Sequence, residues 1–279
     1  MTEQDAFGIA AEWDFDEARF AVAGDWNGDG QWIRKVMMRL TEQAPDVRTL
    51  VQLGDFFPGQ SPLTGGSPQA SPAVVAADEA ACDAGVERVL VMLGNHAPWP
   101  WFRDMEAPMQ VAQRVWVLPR VHRMRIGGRV LLSVDGAASV DEDWRTPGVN
   151  WWADERVRER DVAAAIAGGY ADVLLTHDTI ADTPVKAVRR IIERRDPRWG
   201  DEALARSAAG RELLQQVLDG VGASWAIHGH MHVAGGGVSV DGKRVTSLAN
   251  EHSPGNALVV DAGTLTAEAI STYLAPRSC

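Results

Sequence analysis

The chain has 279 residues, 46% of them hydrophobic, which is enough for a sizeable buried core. Its 27 basic and 38 acidic side chains leave a net charge of −11, and this argues against an extended nucleic-acid-coating surface. No run is long and apolar enough for a membrane span, and the acidic stretch 1–16 lacks an apolar core of signal-peptide length, so a cytoplasmic protein is expected.

The first strand signal, Arg19 to Ala23, ends on Gly24-Asp25-Trp26-Asn27-Gly28. Gln31 to Gln43 has apolar residues at Ile33, Val36, Met37 and Leu40, the spacing of one helix face. A second strand, Thr49 to Leu53, ends on Gly54-Asp55. Pro58 to Pro72 is rich in Pro, Gly and Ser and reads as a mobile loop. The Ala-rich stretch Ala73 to Ala84 predicts a second helix and places Cys82 as a small buried side chain. The only other cysteine, Cys279, is expected to be a free thiol rather than half of a disulfide. Arg88 to Leu93 is the third strand and ends on Gly94-Asn95-His96. Ala97 to Pro108, with Trp99, Trp101 and three prolines, reads as an irregular flap.

The pattern then changes. Val115 to Leu118, Arg123 to Ile126 and Arg129 to Val134 alternate or run apolar, and Gly127-Gly128 supplies a hairpin turn. Such a strand-rich middle marks a passage from one sheet to another. Asp154 to Ala167 is helical, and the strand Ala171 to Leu175 ends on Thr176-His177-Asp178. Thr183 to Leu218 is a long, charged, mostly helical insertion. Its basic residues Lys186, Arg189, Arg190, Arg194, Arg195 and Arg198 predict a solvated helix face. Ser224 to Ile227 leads into His228-Gly229-His230-Met231-His232. The chain closes with Gly237 to Val240, a turn at Asp241-Gly242, Arg244 to Leu248, Leu258 to Val260 and Leu265 to Ile270, read as short antiparallel strands. Because the motifs span the whole length, one domain over 1–279 is expected, with two mixed sheets face to face and helices outside.

Five polar clusters at the carboxyl ends of five strands can converge on one crevice. Two Asp, one or two Asn and three or four His there form a mixed oxygen and nitrogen ligand set for divalent metal. In this order they resemble the calcineurin-like metallophosphoesterase superfamily, whose pattern is Asp-x-His, Gly-Asp, Gly-Asn-His, a lone His and Gly-His-x-His. Ser139-Val140-Asp141 with Arg145-Thr146-Pro147-Gly148-Val149-Asn150-Trp151-Trp152 is similar to its small bacterial and phage members.

The resemblance implies a four-layer αββα sandwich of two mixed β-sheets and a dinuclear centre that hydrolyses phosphate mono- or diesters by metal-bound hydroxide. It implies that Asp55 bridges two divalent ions. Asp25 and His232, with Asn27 nearby, complete one ion; Asn95, His177 and His230 complete the other. His96 takes the role of proton donor to the leaving oxygen. Arg145, in the stretch shared with the small members, is the candidate for the substrate phosphate. Manganese is the first expectation for both ions, with magnesium, iron and zinc as alternatives. The partner is a small phosphorylated substrate, a nucleotide among the choices; the oligomeric state is left open.

Three departures bear on activity. Asn27 stands where the family has His, with Asp29 close enough to substitute; Ala97 and Pro58 stand where relatives carry acids. They motivate the rival reading of a weakened member that binds a nucleotide or protein without turnover. Elsewhere, His228 is expected to pack or to support the site, and His122 and His252 to lie on the surface or in loops. Asp178 either orients His177 or caps the next segment. Trp26, Trp99, Trp101, Trp144, Trp151 and Trp152 are expected near the crevice, as loop packing rather than as stacking platforms.

Overall fold

A computed structural model of the chain describes residues 6–57 and 66–272; Pro58, most of the loop expected at 58–72, and Cys279 lie outside them. In chain order the strands are β1 (Asp14–Phe15), β2 (Arg19–Ala23), β3 (Thr49–Gln52), β4 (Arg88–Val91), β5 (Met109–Gln110), β6 (Val115–Val117), β7 (Val121–Ile126), β8 (Arg129–Val134), β9 (Val173–Thr176), β10 (Trp225–His228), β11 (Gly235–Val238), β12 (Arg244–Ser247), β13 (Ala257–Asp261) and β14 (Thr266–Ala269). The helices are α1 (Gly30–Gln43), α2 (Pro72–Ala84), α3 (Glu159–Ala167), α4 (Lys186–Arg194) and α5 (Asp201–Val221).

The strands form two mixed sheets, ordered β14-β13-β2-β3-β4-β6-β5 and β1-β7-β8-β9-β10-β12-β11. The chain passes from the first sheet to the second between β6 and β7, where the strand-rich middle foretold a crossing. In the centre of the first sheet β2, β3, β4 and β6 run parallel. In the second, β8, β9, β10 and β12 do so.

Alternation along the strands sorts the core into layers. Phe20, Val22, Val51, Leu90, Leu131, Val173, Leu175 and Ile227 pack between the sheets. Their neighbours Ala21, Ala23, Leu50 and Val89 face α1 and α2, and contact Ile33, Val36, Met37 and Ala77 there. On the other side Leu132, Leu174 and Ala226 face Leu214, Val217 and Leu218 of α5. Helix, sheet, sheet, helix is the four-layer αββα sandwich.

Several local expectations change. β12 pairs parallel with β10, not antiparallel, because β11 sits at the edge and its hairpin folds β12 back beside β10. Cys82 is exposed, since α2 turns Ala77, Ala81 and Ala84 inward and leaves position 82 outside. The helix foreseen from Asp154 starts afresh at Glu159, where Asp161 accepts the Arg158 N–H at 2.9 Å. The segment 183–218 is two helices, broken at Arg195 with φ 43°, and the second half of α5 belongs to the sandwich layer. The flap at 97–108 is anchored by buried Trp99 and Phe102. Among the described residues no helix is long and apolar enough to cross a membrane.

Candidate metal centre

The parallel strands of both sheets end at one place. β2, β3 and β4 of the first sheet deliver Asp25, Asp55 and Asn95-His96; β9 and β10 of the second deliver His177, His230 and His232. Four residues in three of these loops sit in left-handed backbone: Asn27 has φ 42°, Asp55 52°, His230 63° and His232 54°. Non-glycine residues adopt this region at a cost, so packing must hold them there. The motif glycines have a steric reason. A methyl group on Gly94 would overlap Asp55 Oδ1, and one on Gly229 would overlap Asp25 Oδ1.

The deep half contains Asp55, Asn95, His177 and His230. Ligand atoms of Asp55, His177 and His230 all lie within 4.8 Å of one another. His177 Nδ1 lies 2.7 Å from the Leu53 carbonyl, which can only accept, so Nδ1 carries a proton and Nε2 turns to the site. Nε2 is 3.0 Å from Asn95 Oδ1 and 3.4 Å from Asp55 Oδ2. Asn95 donates its Nδ2–H to Ser139 Oγ at 3.0 Å, which points Oδ1 inward. Ser139 Oγ donates in turn to Glu155 Oε2 at 2.8 Å, and Glu155 Oε1 accepts from Ser139 N and Trp151 Nε1. Burial raises Glu155 to about 7 against these hydrogen bonds.

Charge is arranged around Asp55. Burial opposes charge on both Asp55 and His177, but their mutual attraction prevails. It raises His177 to about 10 and holds Asp55 well below the usual carboxylate range. Burial and the charge on His177 push His230 well below an ordinary imidazole. One proton, on His177, thus occupies a pocket of oxygen and nitrogen donors suited to a cation.

The other half is more open. Asp25 Oδ1 accepts the His230 N–H at 2.9 Å. Its Oδ2 is buried without a hydrogen bond and faces His232 Nε2 at 3.0 Å. Asn27 donates Nδ2–H to Glu251 at 2.8 Å, and its N–H to the Asp55 carbonyl. That bond assigns the amide so that Oδ1 is the atom left for a ligand. Asp29 does not substitute: Oδ1 caps α1 by accepting from Gln31 N and Trp32 N at 2.9 Å, and Oδ2 meets His252 at 2.7 Å. The donors of both halves, with the buried Asp25 carboxylate held only from the His232 side at Oδ2, fit divalent cations.

His96 stands at the mouth with its side chain 43% exposed and its N–H on Asp55 Oδ1. Arg145 Nη2 is 2.7 Å from His96 Nε2. A guanidinium only donates, so Nε2 is the acceptor here. Asp141 Oδ2 holds Arg145 through Nε and Nη2 at 3.0 and 2.9 Å. Next to them opens a cleft of about 490 Å³, lined by Asp55, Asn95, His96, His230 and His232 at one end and by α4–α5 residues at the other. A larger hollow of about 670 Å³, between Pro184, Leu218 and Lys243, contains none of the candidate ligands.

The remaining expectations divide. His228 is buried on β10. His252 is exposed in a loop, but His122 lies on β7 with its ring edge-on to Trp13, and burial lowers it to about 4. The Asp178 carboxylate accepts the Thr179 N–H, while the ring nitrogens of His177 meet Leu53 and Asn95. Trp26, Trp99 and Trp152 are buried, Trp144 is exposed, and Trp151 bonds Glu155. Trp199 and Arg195, the former unmarked by any motif and the latter read as solvated, line the cleft. Glu155, Glu251 and Asn256 are missed because each is a lone residue. Asn256 Oδ1 accepts from Trp26 and Trp32, and its Nδ2 donates to the Asp25 carbonyl.

A family model described as calcineurin-like phosphoesterase matches residues 18–234. No curated protein matches the sequence. Among solved structures, TT1561 of Thermus thermophilus aligns with TM-score 0.54 at 12% identity, over 92% of this chain and 100% of that one. A dimetal phosphatase from Danio rerio aligns with TM-score 0.51 at 13% identity, over 91% and 99%. At such identities the likeness is one of fold, and it is this sandwich.

Proposed function

The chain belongs to the calcineurin-like phosphoesterase family, whose members are metal-dependent hydrolases, and from that premise we propose that it cleaves small phosphate esters with a pair of divalent ions. Asp55, Asn95, His177 and His230 would hold one ion; Asp25, Asn27, Asp55 and His232 would hold the other. When bound, two such ions offset the charge of the phosphoryl group and lower the pKa of water. The observation that carries the reading is the close grouping of Asp55, His177 and His230, with the Asp25–His232 ion pair in the same crevice. An amide at Asn27 in place of imidazole favours manganese or magnesium over zinc or iron.

His96 is assigned the proton that goes to the leaving oxygen. Its Nε2 now accepts from Arg145, so the two roles are linked. A phosphoryl oxygen that draws the guanidinium to itself frees Nε2 to carry that proton. Arg145 thereby both receives substrate and releases His96. The whole chain is taken as one domain, and the exposed thiol of Cys82 suits a reducing, cytoplasmic setting.

The test is elemental analysis of the purified protein, with hydrolysis of an aryl monoester and an aryl diester under added manganese. Turnover with two bound ions is expected, and the preferred ester fixes the reaction class. Bound metal with neither ester cleaved would overturn the reading in favour of a binding protein.

A further inference from the structure

The cleft has two chemically distinct ends. One is the proposed metal end. The other is a wall from the α4–α5 corner and its surroundings, made of Ile191, Ile192, Trp199, Leu204, Ala208 and Met231. Ile191 is 47% exposed, a large apolar side chain facing open space rather than core. Trp199 is propped by Trp144, their ring centroids 4.9 Å apart. Arg195, Asp196, Ser207 and Arg211 border this apolar face in the same cleft, with Asp141 nearer the metal end.

We propose that this wall is the subsite for the organic half of the substrate, and that it selects phosphate esters of broad, flat apolar alcohols, aryl esters above all. The proposal rests on the phosphoesterase reading and deepens it. The cleft is continuous, so a phosphoryl group at Asp55, Asn95 and His230 places its ester substituent toward Ile192 and Trp199. Its volume of about 490 Å³ exceeds the need of phosphate alone and lies in the range of pockets that enclose small organic ligands. An aromatic ring gains apolar burial there and stacking on the indole. A sugar or amino-acid substituent laid on Ile191, Ile192 and Leu204 would bury polar groups against apolar atoms and gain less there than a ring does.

Binding of two non-hydrolysable phosphonates separates the ends of the cleft. Phenylphosphonate and methylphosphonate are titrated calorimetrically into the manganese-loaded full chain, into Trp199→Ala and into Ile191→Asn. The second substitution is at an exposed position and keeps the test alive if the first disturbs the corner. The expected result is phenylphosphonate at least tenfold tighter than methylphosphonate in the wild type. That advantage should fall at least fivefold in either variant, with methylphosphonate little changed. Equal affinities in the wild type, or an advantage that survives both substitutions, would overturn the subsite and leave the phosphoesterase reading standing. A wall that receives a protein segment instead gives that same equality. Absence of binding by either phosphonate would sink the parent reading and the subsite with it.

Discussion

Asp55, Asn95 and His177 are almost wholly buried, whereas the side chain of His232 is 52% exposed and Asn27 is half-buried. The proposed deep ligands are held from behind, His177 by the Leu53 carbonyl, Asn95 by Ser139 and, beyond it, Glu155. The more exposed side chains of the open half lean on carboxylates instead, Asn27 on Glu251 and His232 on Asp25. Preorganised donors bind an ion without first giving up freedom or neighbours. The difference teaches that the two ions should be held unequally, the deep one tightly and the open one exchangeably.

In the proposed centre Asp55 is shared by both halves, so its loss should erase the contrast. Asp55→Asn is expected to lose most metal from both sites and at least ~10³-fold in turnover, since a neutral amide cannot balance two adjacent dications. Metal analysis and ester hydrolysis check this, and retention of both ions would refute the shared ligand.

The deep half should show a proton cost. His177 is raised to about 10, and an imidazolium must shed its proton to ligate. Affinity for the deep ion should therefore rise with pH, by about tenfold per unit, up to that value. Chelator competition between pH 6.5 and 8.5 should give a roughly hundredfold gain. A flat profile would mean that His177 is already neutral without metal.

Ser139→Ala sharpens the contrast further. It removes the acceptor that aims the Asn95 amide and should weaken only the deep ion, by about 10–100-fold, as loss of a ligand's support does. Equal weakening of both ions would point to general disruption of the fold instead.

The smallest effect is expected in the open half. Asn27→His should tighten the open ion by roughly tenfold, because imidazole is the better donor for first-row ions. Asp29→Asn should leave the manganese titration unmoved, since Asn caps a helix as well as Asp does. A shift in that variant would return Asp29 to the ligand list.

How much of this was legible follows from how each residue is encoded. The strand ends announced themselves because each motif is contiguous and follows an apolar run, as in Gly94-Asn95-His96 after Arg88–Val91. The sandwich was readable for the same reason, together with the resemblance. Glu155 and Glu251 were not, because one acidic residue in a polar stretch looks like any other until tertiary packing brings it to Ser139 or Asn27. Cys82 and His122 were misplaced by one helical step and one strand pairing, both set by partners distant in sequence. The parallel pairing of β12 was hidden because hairpin signals show that strands turn, but not which neighbour they join.

β13 pairs with β2, Ala257 opposite Ala23, and Asn256 just before it grips the carbonyl of Asp25. The ligand loop translated first is thus seated by a strand translated more than two hundred residues later. While the ribosome works, β2 must wait with one edge unsatisfied, and neither Trp26 nor Trp32 has its acceptor. The centre therefore cannot be complete before β13 has emerged. A nascent chain arrested before Ala257 should hold its helices and parallel strands and yet have nowhere firm for Asp25 to stand.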